Sequence, residues 1–355
     1  MPPSTSAPPK ELRPGGELDR FIAARAEQDE FSGTVLLTWR GRTVLERSYG
    51  LADKARDIPN RAETRFDVAS ITKSFTAVAL AQLVEKGEVA LHETLGTYLD
   101  GFPSGLAGTV TVHHLLTHTA GVDRTTAAPP SGDTIEETWQ ANLEAVRATK
   151  APFPPGSRFQ YSNGGYFTLG AIVAAVAGDF YDYVRTNIIK RAKLRHTSFP
   201  TRDEVRASRE FAHRYATDRQ TGERYDLTMS ENMGLIGMPD HGLYSTVGDL
   251  LRFHAATLDG TLLERSFAEL FTGSKTALGP DVKPTLDRQA MAYCYGFFRT
   301  VLNGREVLWH SGSGPGMANM LDSHPGTGWS MAILGNYDDS VDPIVNRARQ
   351  LITRA

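Results

Sequence analysis

Cysteine is almost missing from this chain of 355 residues, in which Cys294 is the only one. A single thiol forms no internal disulfide and cannot build a cysteine-based metal site. The chain also lacks any apolar run near the roughly 18 residues that a membrane span requires. Its formal net charge is only −3, and Lys and Arg form no cluster interleaved with aromatic residues. These absences argue against a membrane protein and against a nucleic-acid-binding protein.

The first 16 residues are rich in proline and small residues and contain no apolar segment. Because a signal peptide needs an apolar core, we expect a disordered tail over residues 1–15 and a cytoplasmic protein. The remainder has the composition of an ordinary globular protein, 40% hydrophobic and 22% charged. Its length suffices for one large domain or for two interleaved ones.

Strand patterns stand at both ends of the chain, and helical patterns fill the middle. The sequence predicts strands over residues 35–39, 44–49, 295–302, 306–310, 317–323 and 329–336, with the Asn303-Gly304 pair as a strong hairpin signal. It predicts helices over residues 17–27, 111–120, 136–149, 165–177, 180–190 and 343–353, and a surface loop over 123–134.

This order of elements predicts an α+β fold with an antiparallel sheet built from both chain ends and flanked by helices. We expect residues 16–72 and 245–355 to form the sheet domain. Residues 73–244 would form a mostly helical inserted domain, with the active site between the two.

The stretch 66–87 contains the first chemical motif, Ser70-Ile-Thr-Lys73. Apolar residues recur at helical spacing after residue 69, and Gly87 is placed to end the helix in a left-handed conformation. Residues three apart share a helix face, so the amine of Lys73 can reach the hydroxyl of Ser70. A hydroxyl becomes a useful nucleophile when a neighbouring base takes its proton. The helix start also supplies N–H groups that stabilise a developing oxyanion.

The same motif has a purely structural interpretation, in which Ser70 is a helix cap and Lys73 a solvated side chain. The residues that follow Lys73 carry almost no charge, which predicts a helix buried on most sides. A lysine at the start of a buried helix needs a polar partner.

Two further motifs lie at turns. The segment 160–165 includes Tyr161 and Asn163 just before an apolar helix. A phenol beside an ammonium can have a lowered pKa and act as a general base, and the amide can orient a carbonyl. The segment 310–316 begins with His310 and is rich in glycine, which permits close approach of a substrate backbone. Either segment could equally be a structural turn.

Taken together, Ser-x-x-Lys, Tyr-x-Asn and His-Ser-Gly in this order resemble the class C β-lactamase family in its broad sense. That family includes D-alanyl-D-alanine carboxypeptidases, D-aminopeptidases and β-lactamase-like esterases. The segments 113–121, 155–166 and 242–253 resemble it too, and the similarity runs from about residue 31 to about residue 336. The Ser-x-x-Lys signature is a known mark of related enzymes. The resemblance implies a β-lactamase/transpeptidase-like fold and a serine hydrolase.

The resemblance also implies a role for each motif residue. Ser70 would be the acylated nucleophile and Lys73 its proton partner, while Tyr161 would be the general base that also activates the deacylating water. Asn163 would hold the acyl side of the substrate. The other implied site residues are His310, Gly312 and the oxyanion-hole amides of Ser70 and Ser313. Apart from the resemblance, His241 and Tyr244 in the segment 240–246 are candidates for lining the substrate pocket, although a purely structural loop histidine would look the same.

His310 is a departure, because many β-lactamases carry lysine at this place. A lysine would be charged at neutral pH and would attract a substrate carboxylate, whereas a histidine is mostly neutral. We therefore expect an ester or small amide as substrate rather than an efficiently hydrolysed β-lactam. The resemblance implies no cofactor.

Three other functions are considered. An acyltransferase would use the same acyl-enzyme, and a non-catalytic binding protein would have lost a motif residue, which this chain has not. A metal-dependent hydrolase would draw on His114 and His118, which have the four-residue spacing of zinc ligands. No glutamate of the His-Glu-x-x-His kind accompanies them, so we expect no metal site.

Overall fold

The computed structural model describes residues 7–123, 132–231, 233–278 and 290–354. Its strands are β1 Gly33–Trp39, β2 Arg42–Tyr49, β3 Leu51–Asp53, β4 Ile58–Pro59, β5 Phe66–Asp67, β6 Tyr215–Thr217, β7 Arg224–Asp226, β8 Tyr244–Ser245, β9 Thr276–Ala277, β10 Ala290–Tyr293, β11 Phe298–Leu302, β12 Arg305–Gly314, β13 Met317–His324 and β14 Trp329–Gly335. Its α-helices are α1 Glu17–Glu27, α2 Thr72–Glu85, α3 Leu95–Tyr98, α4 Ser104–Ala107, α5 Val112–Leu116, α6 Ile135–Arg147, α7 Asn163–Ala177, α8 Phe180–Val184, α9 Arg202–Ala207, α10 Val247–Leu258, α11 Arg265–Thr272 and α12 Asp342–Arg354.

Eight strands form one antiparallel sheet in the order β2-β1-β14-β13-β12-β11-β10-β9. The N-terminal hairpin therefore pairs with the last strand of the chain, and the register runs from Gly33↔Gly335 to Trp39↔Trp329. The predicted sheet from both chain ends is confirmed, as is the α+β class.

The turn between β11 and β12 shows why the sequence forms this meander. Asn303 and Gly304 both have positive φ, 48° and 74°, which a two-residue type I′ turn requires. Asn and Gly tolerate that conformation better than other residues. The predicted hairpin is confirmed.

Helix α10 connects the sheet to the helix that follows Ser70. Its apolar side lies against β14 and β1, and its Phe253 ring stacks on Phe75 of α2 with ring centroids 3.7 Å apart. Twelve residues of α2, from Thr72 to Leu83, are buried. The prediction that this helix is buried on most sides is confirmed, and Gly87 has the expected positive φ of 75°.

Some expectations need correction. Lys10–Leu12 forms a 3-10 turn, and the Leu12 side chain is fully buried in the hydrophobic core. Because this apolar side chain packs in the core, ordered structure begins inside the predicted disordered tail. The helix expected over residues 111–120 is only the five residues of α5. The loop expected over 123–134 falls mainly on residues 124–131, outside the described residues.

Within the described ranges, no single helix is long and apolar enough to cross a membrane. One pair, Asn163–Ala177 and Phe180–Lys190, meets that test jointly but is bent by 85°.

Candidate active site

A strained turn presents Ser70. Strand β5 leads into a 3-10 helix, Ala69–Ile71, which continues directly as α2. Ala69 has a φ of 48°, a left-handed conformation that costs a non-glycine residue free energy. Its N–H donates to Asp67 Oδ1 at 2.9 Å, which helps to hold the turn. Ser70 is therefore at the tip of a fixed turn, where its side chain is partly accessible.

Lys73 is fully buried on the first turn of α2. Its Nζ lies 3.0 Å from Ser70 Oγ, as the three-residue spacing predicts. It also donates to Asn163 Oδ1 at 2.8 Å and to the carbonyl oxygen of Asp240 at 2.8 Å. The amine thus has polar partners from three separate parts of the chain, which a buried lysine requires.

Tyr161 approaches the same two side chains from the loop before α7. Its hydroxyl is hydrogen-bonded to Ser70, and Lys73 Nζ lies 4.9 Å from the centre of its ring. Burial raises the pKa of the Tyr161 phenol well above its usual value; the Ser70 hydrogen bond opposes this shift and the Asp240 carboxylate adds to it. The expectation of a lowered pKa is therefore wrong, because desolvation outweighs the lowering effect of the Ser70 hydrogen bond.

Asn163 is the first residue of α7, and the side chain of the preceding Ser162 caps this helix by accepting from Gly165 N–H at 2.8 Å. Asn163 is exposed, with its Oδ1 turned to Lys73. Helix α7 thus places the amide at the edge of the site.

Strand β12 passes directly beside the Ser70 turn, and glycine at position 312 makes this possible. A Cβ on Gly312 would stand 2.1 Å from the carbonyl oxygen of Val68. The sequence predicts that glycine in this segment lets a substrate backbone approach closely. In the structure, the backbone of Val68 lies in that close position at Gly312 instead. Ser313 follows on the same strand, exposed and opposite Ala318 of β13. Its oxyanion-hole role stays a prediction.

His310 is buried in β12, with 1% of its surface exposed. Its Nδ1 lies 2.7 Å from the Ser311 carbonyl oxygen, which can only accept, so Nδ1 carries the proton. Burial, and then the charge of Lys73, lowers the pKa of His310 to about 3. The imidazole is consequently neutral at neutral pH, and its Nε2 lies 3.5 Å from the hydroxyl of Tyr293.

The two predicted pocket residues, His241 and Tyr244, differ in how much of the side chain is exposed. His241 is one-third exposed, and its Nδ1 lies 2.9 Å from Oδ2 of the buried Asp240, whose carbonyl oxygen binds Lys73. Tyr244 has 2% of its surface exposed and packs edge-on against Phe211. Only His241 therefore has a side chain that a ligand can reach beside the site.

His114 and His118 do not form a helical pair, because α5 ends at Leu116. His114 completes the N-terminal cap of α5 by accepting from Thr111 N–H through Nδ1 at 3.2 Å. His118 has a left-handed φ of 58°, and its ring stacks on Tyr161 with centroids 4.2 Å apart. This neighbour of Tyr161 was missed as a site residue, because only its spacing to His114 was considered.

Comparisons with known proteins agree with this geometry. Residues 18–354 match the family model described as Beta-lactamase. The chain is 30% identical over 255 residues to the putative penicillin-binding protein PbpX of Bacillus subtilis (strain 168), covering 70% of this chain and 61% of that protein. It is 27% identical to penicillin-binding protein 4* of the same strain, covering 92% of this chain and 72% of that protein. The chain thus spans less than two thirds of the length of the first of these relatives.

Solved structures share the fold. A penicillin-binding protein from Bacillus halodurans has a TM-score of 0.80 at 27% identity, over 93% of this chain and 98% of that one. A class C β-lactamase has a TM-score of 0.75 at 18% identity, over 95% of this chain and 94% of that one, which shows a common fold. The predicted β-lactamase/transpeptidase-like fold is confirmed.

Proposed function

Because this chain belongs to the β-lactamase family of serine hydrolases, we propose that it cleaves an ester or small amide bond through an acyl-enzyme on Ser70. One observation carries the proposal: a single buried amine, Lys73 Nζ, is hydrogen-bonded to Ser70 Oγ and to Asn163 Oδ1. The nucleophile, its proton partner and a substrate-orienting amide are thereby joined in one network.

The partners of Lys73 orient it as a base. Asn163 Oδ1 and the Asp240 carbonyl oxygen can only accept hydrogen bonds, so they take two N–H groups. Nζ also lies 3.0 Å from Ser70 Oγ. In the amine form, the lone pair of Nζ can accept the hydroxyl proton of Ser70 over this distance. Lys73 thus takes that proton as Ser70 attacks the carbonyl carbon.

Tyr161 has the complementary role. Because its pKa is raised, the phenol is protonated in the resting site and donates its proton to the departing oxygen or nitrogen as the acyl bond to Ser70 forms. The ammonium of Lys73 returns a proton to the phenolate. In deacylation, water loses a proton to the Tyr161–Lys73 pair, and Ser70 Oγ regains one from it. Protons balance in both half-reactions.

His310 supports an uncharged acyl donor as substrate. A neutral imidazole whose Nδ1 proton is committed to the Ser311 carbonyl offers no cationic charge to a carboxylate. This favours simple esters and small amides over β-lactams, whose carboxylate would lie next to His310 without a positive charge to bind it. His241, held by Asp240, lines the same site as a substrate contact.

A fluorophosphonate followed by peptide mass mapping tests the nucleophile. We expect one label, on Ser70, and none on the Ser70→Ala variant. Ser74→Ala is the matched control, because Ser74 lies on the same helix but donates to the Gly296 carbonyl at 2.6 Å. It should still be labelled at Ser70. A label elsewhere, or equal labelling of Ser70→Ala, contradicts the assignment.

A substrate panel tests the specificity. We expect p-nitrophenyl butyrate to be turned over faster than nitrocefin, with D-alanyl p-nitroanilide between them. Preferred turnover of nitrocefin would contradict the uncharged-substrate assignment. Products formed with an added alcohol distinguish hydrolysis from acyl transfer.

A further inference from the structure

One histidine outside the proposed proton network packs directly on it. The ring of His118 stacks on Tyr161 with centroids 4.2 Å apart and planes 30° from parallel. The imidazole is 1% exposed, and the rings of Tyr166 and Tyr293 enclose it at 4.8 Å and 4.6 Å. Because protein interiors are close-packed, this fixed wall limits how far the phenol can tilt.

His118 also holds the backbone on both sides of Tyr161. The N–H of Gln160 donates to the His118 carbonyl oxygen at 2.8 Å. The N–H of Ser162 donates to His118 Nδ1 at 3.0 Å. One residue therefore holds the backbone N–H groups of Gln160 and Ser162, on either side of Tyr161, and packs on one face of the Tyr161 ring. Loops without such contacts let their side chains move by an ångström or more.

The charge state of this imidazole follows from its partner. A backbone N–H only donates, so Nδ1 is an acceptor and the ring proton is on Nε2. Burial, and then the charge of Lys73 and the neighbouring His310, hold the pKa of His118 well below its usual value. The imidazole is therefore a neutral acceptor over the pH range in which a hydrolase works.

One feature shows that an apolar ring would be easier to accommodate here. Nε2 of His118 is buried with no hydrogen-bond partner within the described parts of the chain. A buried donor without an acceptor destabilises the folded protein. Phenylalanine would avoid that cost and keep the stacking, but it could not accept from Ser162. The nitrogen acceptor is what histidine adds.

We propose that His118 is a positioning residue for Tyr161, fixing the phenol within reach of Ser70 by stacking on its ring and by holding the Ser162 N–H. This inference rests on the proposed function, in which Tyr161 transfers a proton. Proton transfer needs the two heavy atoms within hydrogen-bond distance, and a misplacement near 1 Å can cost about 100-fold in rate.

Two variants separate the two contacts. His118→Phe keeps the ring and removes the acceptor, whereas His118→Asn keeps an acceptor near the Nδ1 position and removes the ring. We expect each to lower the single-turnover acylation rate with p-nitrophenyl butyrate by about 10- to 100-fold, with KM nearly unchanged. Phe159→Leu is the matched control, because Phe159 touches the same imidazole edge-on at 5.7 Å. It should keep a rate near that of the wild type.

A double-mutant cycle with Tyr161→Phe distinguishes positioning from general folding. In that background the His118 variants should cause no further loss of rate, because the phenol they position is gone. Equal losses in both backgrounds, or wild-type rates in both single variants, would overturn the inference. Phosphonate labelling of wild-type Ser70 keeps the two proposals apart: if Ser70 is labelled and the cycle is additive, only the role of His118 fails, whereas an unlabelled Ser70 overturns both.

Discussion

Two buried cations in this molecule have opposite surroundings. Arg349 of α12, 4% exposed, forms a two-pronged pair with Asp322 of β13 through contacts of 2.8 Å and 3.3 Å. Lys73 of α2 is also buried, but its hydrogen bonds to Ser70, Asn163 and the Asp240 carbonyl go to uncharged oxygens. A guanidinium is always charged at working pH, and a carboxylate binds it through two parallel hydrogen bonds. Neutral acceptors hold an amine in place and leave it free to exchange a proton.

Burial alone therefore does not identify a cation that takes part in the proposed reaction, because Arg349 and Lys73 are both buried. The Arg349–Asp322 pair joins the last helix to the sheet and contributes to the cohesion of the fold. The network around Lys73 joins segments of the chain that are 90 and 167 residues away from it in sequence, beside Ser70, the proposed nucleophile. Different chemistry therefore follows from the partners, and substitution of each cation separates the two roles.

The largest expected effect comes from Lys73→Met, which keeps the length of the side chain and removes its amine. Without a proton acceptor we expect kcat for p-nitrophenyl butyrate to fall by about 1,000-fold or more. The melting temperature should change by only a few degrees, because no charged pair is broken in these three hydrogen bonds. Steady-state kinetics and thermal unfolding check this. A Lys73→Met variant that is strongly destabilised but still active would show that Lys73, like Arg349, acts on stability and not in the reaction.

Arg349→Met should act on stability instead. Removing one partner of a buried ion pair leaves the Asp322 carboxylate uncompensated and costs about 3–5 kcal/mol. Urea unfolding measures this loss, and the kcat of the folded fraction should stay near the wild-type value. The double variant Asp322→Leu with Arg349→Met should recover part of the stability, because no isolated charge then remains. An unchanged unfolding midpoint for Arg349→Met would break the comparison.

Two buried histidines, His254 near Asp322 and His310 near Lys73, give a pH test. Burial lowers the pKa of His254 to about 4 against an opposing effect of Asp322, and it lowers that of His310 to about 3 with Lys73 acting in the same direction. The pKa of each histidine is lower in the folded protein than in the unfolded chain. As the pH falls, the unfolded chain therefore binds these two protons before the folded protein does. The contribution of these neutral histidines to the free energy of unfolding is fully present above about pH 6.5, and it is lost as the pH drops toward 4.

The expected slope is about 1.4 kcal/mol per pH unit for each such proton. His254→Gln should flatten the fall measured by urea unfolding between pH 6.5 and 4 and leave kcat near its wild-type value. If the slope is unchanged in this variant, His254 is not buried in its neutral form.

The smallest effect is expected for a surface cation. Arg252 pairs with Asp249 at 3.1 Å, but half of the arginine side chain is exposed. Arg252→Ala should change the free energy of unfolding by less than about 1 kcal/mol, because exposed pairs contribute little. A loss as large as that of Arg349→Met would show that burial is not what separates the two pairs.

Local features of the chain were predictable from its sequence. Asn303-Gly304 fixes a hairpin through its own backbone preferences, and the Ser70–Lys73 contact follows from helical spacing alone. The alternation of strands and helices also predicted which ends of the chain form the sheet.

Features that depend on distant segments were not predictable. The Asp240 carbonyl lies 167 residues beyond Lys73 in sequence, and no motif marks a backbone oxygen as a ligand. The pKa of Tyr161 was expected to fall because of the lysine, whereas the burial that raises it is a property of the assembled core. His118 stacks on Tyr161 only because α5 ends early at Leu116. Each of these depends on tertiary packing.

The pairing of β1 with β14 has a consequence for biosynthesis. Gly33 can pair with its neighbour Gly335 only after all the residues between them have been made. Until then the first hairpin has an open hydrogen-bonding edge that other nascent chains could join, and closing so long a loop is entropically slow. Removal of residues 329–354 should therefore yield an insoluble product even though every motif of the proposed active site would still be encoded.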